Sequence, residues 1–64
     1  MVAKWEFYSL ASMLLSTHGD EAEEEAARRL HRAEETHDRG QIVVWLEVAK
    51  LLPGIRAERE QRGG

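Results

Sequence analysis

Two stop-start signals, Gly19-Asp20 and Asp38-Arg39-Gly40, interrupt a chain of helix-forming residues in which no stretch alternates apolar with polar as a half-buried strand would. Glycine reaches the left-handed backbone that closes a helix, so Gly19 ends a first segment of about residues 3–18. Asp20 and Glu23 then have the spacing of a capping box, in which each side chain accepts from the other residue's free amide. This spacing predicts a second helix over about 20–36. Asp38 and Gln41 repeat the device and predict a third helix over about 39–52. Pro53 disfavours helix at Leu52, and Gly54 adds a turn signal, so the third helix is expected to stop there. The residues beyond, 55–62, fit either a short fourth helix or a frayed tail. The fold expected is an all-α three-helix mini-bundle, a single domain over 1–62 with a flexible tail at 63–64.

Projection at about 100° per residue gives each segment a different surface. In the first, Phe7, Tyr8, Leu10, Ala11, Leu14, Leu15 and His18 share a face expected to be core, and Trp5 and Met13 fall outside it. The second carries a narrow stripe of Ala22, Ala26, Leu30 and Ala33 among charges. Small side chains permit close approach but bury little area, so this helix is expected to clamp across a main contact between the first and third. The third is apolar over most of its circumference, with Ile42, Trp45, Leu46, Val48, Ala49 and Leu52 expected in the core and Val44 and Leu51 widening the surface. A helix of that kind is either central or half of an interface.

Composition narrows the function classes. With 64 residues, a single core rarely supplies more than ~3–5 kcal/mol, and without cysteine there is no disulfide or thiolate-bound zinc to reinforce it. Twelve acidic residues against nine basic ones give a net charge of −3, which disfavours direct binding to nucleic acid. No apolar run is long enough for a membrane span and no signal peptide is evident, so the expected location is cytoplasmic.

The catalytic and metal motifs are sparse. Glu34 and His37 have the Glu-x-x-His spacing of di-iron helical proteins, but such a centre needs a second motif and further carboxylates, so a capping or solvated role is the better reading. His18 suits a helix end, and His31 projects beside Arg28 and Arg32. There is no nucleophile elbow and no phosphate-cradling glycine-rich loop, so neither an enzyme nor a cofactor is expected. Arg62-Gly63-Gly64 has the look of a ubiquitin-like tail, but those proteins are β-grasp folds and this chain has no strands to build one.

Two features point toward partners. The acidic run of Asp20, Glu21, Glu23, Glu24 and Glu25 complements a helix N-terminus and sets up i,i+4 pairs with Arg28 and Arg29; an acidic docking surface at Glu21, Glu24 and Glu25 is the sharper alternative. Trp5 and Met13, with Val2, suggest a protein-binding patch, since tryptophan and methionine are favoured at such surfaces.

Taken together, Trp5, Ala11, Leu14, His18-Gly19, Ala22, Ala26, Arg29, Leu30, Asp38, Gly40, Trp45 and Val48 give the chain a pattern over about residues 5–52. It resembles a family of short, uncharacterised helical proteins common in alphaproteobacteria, with a His-Gly pair after the first helix and an Asp-x-Gly-x-x-x-x-Trp stretch. The chain departs from that pattern where His37 stands in place of a glycine before Asp38 and where Leu52-Pro53-Gly54 interrupts the third helix. The resemblance implies a helical fold and no activity.

The function expected is a non-catalytic protein-binding or regulatory module that presents an apolar helical surface with an acidic flank. Trp5 and Met13, or Val44, Val48 and Leu51, would be its working residues, and homodimerisation is one way to cover the second set. The alternative is a small inhibitor, anti-CRISPR-like or antitoxin-like, whose acids compete for a basic groove. A metal-binding protein is a distant third.

Overall fold

The computed structural model describes residues 3–63. The chain is all-α: α1 spans Lys4–His18, a single 3-10 turn covers Gly19–Glu21, α2 spans Ala22–Glu35 and α3 spans Arg39–Gly63. The all-α expectation holds, but the expected three-helix mini-bundle over about 3–18, 20–36 and 39–52 does not, because the last helix runs on to Gly63. Two short helices of 15 and 14 residues lie on one long helix of 25. The molecule accordingly measures 41 Å along its longest axis, close to the ~37 Å that α3 alone would span at 1.5 Å per residue.

Local signals explain most of the helix ends. Gly19 has φ 55° and its N–H donates to the Leu15 carbonyl, closing α1 where the sequence places the stop. Asp38 caps α3 by accepting the Gln41 N–H at Oδ1, 3.1 Å away. The end of α2 is a Schellman motif, in which the Asp38 N–H donates to the Ala33 carbonyl and the His37 N–H to the Glu34 carbonyl. His37 therefore stands at the left-handed position of that motif, with φ 57°, where glycine is usual.

Two expectations at helix ends are corrected. The capping box at Asp20 and Glu23 does not form: α2 has no side-chain cap, Asp20 lies in the 3-10 turn, and the Glu23 carboxylate accepts from Arg56. Nor does the chain break at Leu52-Pro53. Leu52 and Ile55, on either side of the proline, are both buried, while Pro53 and Gly54 are exposed, so the proline ring displaces nothing in the core. Tertiary packing holds the turn that local propensity disfavours. Residues 55–62 are the continuation of α3, and Gly63, expected in a flexible tail, is its last residue. Gly64, Met1 and Val2 lie outside the described residues.

The core combines Ala11, Leu14 and Leu15 of α1, Ala22 and Ala26 of α2, and Trp45, Val48, Leu52 and Ile55 of α3. Leu10, Leu30, Val44, Ala49 and Leu51 pack against it. The alanine stripe of α2 lets that helix approach closely, and α2 packs on α3 as extensively as α1 does, so it is more than the clamp expected of it.

The buried stripe of α3 is rotated from the expected one. It follows Trp45, Val48, Leu52 and Ile55, at steps of three and four residues, because the helix continues past Pro53 and Ile55 extends the row. Val48, assigned above to a docking surface, is wholly buried inside the molecule. Leu46, expected in the core, is 42% exposed, and Tyr8 is likewise largely exposed.

Candidate functional site

Beside its buried stripe, α3 carries an apolar surface. Val43 is 54% exposed and Leu46 42%, while Ile42 and Ala49 are half-buried and Pro53 is exposed. Ile42, Leu46, Ala49 and Pro53 succeed one another at steps of four, three and four, so they form one continuous row on the helix, with Val43 beside it. Lys50 borders the row and is paired with Glu47 at 3.4 Å. Val44 and Leu51, assigned to a docking surface above, are only half-buried and rest against the core. The surplus apolar face of α3 is therefore not on Val44, Val48 and Leu51; the apolar surface lies on Ile42, Leu46 and Ala49, which were expected in the core, with Val43 and Pro53. The signal that would have located it is Ile55, which sets the phase of the stripe once Pro53 is admitted inside the helix.

Trp5 and Met13 are exposed, at 68% and 46%. They do not make one patch. Eight residues separate them by about 12 Å along α1, and the exposed Ser9 stands midway between them. Val2, the third member of the expected patch, lies outside the described residues.

The acidic run is less free than its sequence implies. Glu25 accepts from Arg28 through Nε and Nη2, at 3.1 and 2.7 Å, and from Arg29 Nε at 2.7 Å. Those two guanidinium groups, Arg29 first, pull the Glu25 carboxyl down to about 2. Glu23 is held below its ordinary range by its hydrogen bond with Arg56, and Arg56 also lies 3.6 Å from Asp20. Glu21 and Glu24 remain exposed.

Beside this pair lies an open groove of about 490 Å³ between α2 and the start of α3, lined by Arg28, Arg29, Arg32, Thr36, Gln41 and Trp45 among others. The Arg29 guanidinium sits 4.9 Å from the Trp45 ring centroid, and the indole Nε1 donates to Gln41 Oε1 at 2.9 Å. Gln41 thus spends its carbonyl on Trp45 instead of reaching back to complete a capping box. Sequence reading placed Trp45 in the core and treated the arginines as helix-surface pairs; their convergence depends on α2 packing against α3.

Glu34 and His37 are both exposed, and among the described residues no three histidine, aspartate or glutamate side chains gather as a metal site would require. No helix among the described residues is long and apolar enough to cross a membrane. No protein-family model, curated protein or solved structure matches the chain. Function is therefore read from these surfaces.

Proposed function

We propose that this chain is a small non-catalytic protein-binding module that docks through the outward face of α3. The observation that carries the reading is the apolar row of Ile42, Leu46, Ala49 and Pro53 flanking the buried stripe of α3, in which Leu46 and Pro53 are exposed, with the exposed Val43 beside it. In so small a protein, the exposed apolar area of Val43, Leu46 and Pro53 costs solubility, which favours a second protein surface as its cover. A second copy of the chain is one such cover, since a two-fold axis across the row would pair it with itself. The acidic inhibitor reading draws less support, because Glu23 and Glu25 are committed to arginines.

The test is a photoreactive residue placed at Leu46 in living cells, with the exposed Glu34 of α2 as the control position. A discrete adduct is expected from position 46 and none from position 34. An adduct of twice the chain mass assigns the face to self-association, and any other discrete mass to a different protein. Absence of an adduct from position 46 overturns the proposal.

A further inference from the structure

The groove between α2 and α3 is rich in donors whose local acceptors are already engaged. Of its two carboxylates, Glu25 is shared by Arg28 and Arg29, and Asp38 is committed to the Gln41 N–H. Against these stand three guanidinium groups. Arg32 makes no hydrogen bond or ion pair through its side chain among the described residues. Arg29 spends only Nε on Glu25, and its ring partner Trp45 fixes its plane without using a donor, so both Nη groups stay available. Arg29 and Arg32 are three residues apart on α2 and therefore neighbours on one face. The Gln41 amide, oriented by Trp45, keeps its nitrogen free for a further bond.

We infer that this groove binds a phosphate-class oxyanion, held by Arg32 and the free edge of Arg29, with Gln41 as a neutral donor. Glu25 shows that two guanidinium groups here can hold one carboxylate; the free donors of Arg29, Arg32 and Gln41 offer more than a second carboxylate's two oxygens need and suit a tetrahedral group with several acceptor oxygens and two charges. The site is distinct from the outward row of α3, because Trp45 and Gln41 lie on the side of that helix facing α2.

The experiment is an amide and indole NMR titration of the full chain with inorganic phosphate at constant ionic strength, with glycerol phosphate as a second arm and acetate as the carboxylate control. Saturable shifts are expected at the Trp45 indole and at the side-chain Nε–H groups of Arg29 and Arg32. Affinity should fall at least tenfold in Arg32→Gln, whose exposed position leaves the remaining spectrum unchanged. It should rise severalfold in Glu25→Gln, which releases donors of Arg28 and Arg29. Tighter binding of glycerol phosphate assigns the site to an esterified phosphate, and equal or weaker binding to the free ion. Shifts that do not saturate, acetate binding as tightly as phosphate, or undiminished affinity in Arg32→Gln would overturn the inference.

Discussion

Arg56 donates through Nε to Glu23 Oε2 and through Nη2 to the Gly19 carbonyl, both at 2.9 Å, and so ties the turn of α3 after Pro53 to the corner between α1 and α2. This contact lies 33 residues apart in sequence. It explains two departures from local rules together, the unused capping box of α2 and the helix that continues through a proline. Arg59 adds a second tie by donating to the Ser12 carbonyl at 3.2 Å.

The same pair sets an acid dependence. Arg56 lowers Glu23 below 4.5, and Arg29 and Arg28 lower Glu25 to about 2. A carboxyl whose folded pKa is depressed contributes stability that is full above its unfolded pKa and is lost as pH falls through the folded one. The urea midpoint should therefore decline from about pH 5 toward pH 2. The double variant Glu23→Gln, Glu25→Gln should flatten that decline, and an unchanged acid slope would contradict the assignment.

His37 and Gly19, both of positive φ, predict opposite outcomes. His37→Gly should stabilise the chain by ~1 kcal/mol, because a left-handed backbone costs an L-residue roughly 1–2 kcal/mol and glycine returns part of that through its freer unfolded state. Gly19→Ala should cost ~1–3 kcal/mol through the backbone alone, since φ 55° with ψ −122° is a glycine conformation and an added Cβ there meets nothing within 4 Å. Chemical denaturation of both variants measures the contrast.

Pro53→Ala should stabilise the chain by ~1–3 kcal/mol. The substitution restores a donor in the middle of α3 at an exposed position and introduces no new contact in the core. The lost rigidity of the unfolded chain offsets ~0.4–1 kcal/mol of the gain. A lower unfolding midpoint than the parent would show that the proline is needed where it stands.

Leu52→Ala, by contrast, removes a fully buried side chain and should cost ~2–5 kcal/mol. That is comparable with the whole ~3–5 kcal/mol a core of this size supplies. Far-ultraviolet circular dichroism at 25 °C should show the helix largely lost, and a native spectrum with an unchanged melting temperature would contradict this core.

Legibility in the sequence followed the range of the interaction. α1 ends at His18 because Gly19 supplies its own stop, and α3 starts after Asp38 because its cap lies three residues from the amide it serves. The end of α3 was not legible, because Pro53 is a strong local signal overruled by Leu52, Ile55 and Arg56, whose partners lie in other helices. Without Ile55 to extend the row, the expected core took in Leu46, which is 42% exposed, while Val48, expected in the core and also offered as a docking residue, is wholly buried. The arginine groove depends likewise on Arg29 meeting Trp45 across two helices.

The exposed row of α3 is proposed to bind protein while the stripe of Trp45, Val48, Leu52 and Ile55 holds the fold. This division is tested most directly by the adduct yield from a photoreactive residue at Val43 in living cells, in the parent and in Leu46→Glu. Leu46 is partly exposed, and a glutamate there gains Lys50 as an i,i+4 partner, so the substitution should cost less than ~1 kcal/mol. The account predicts a discrete adduct in the parent that disappears in a Leu46→Glu chain with native helix content. Adduct formation undiminished by Leu46→Glu, or unfolding of the chain by that substitution, would contradict it.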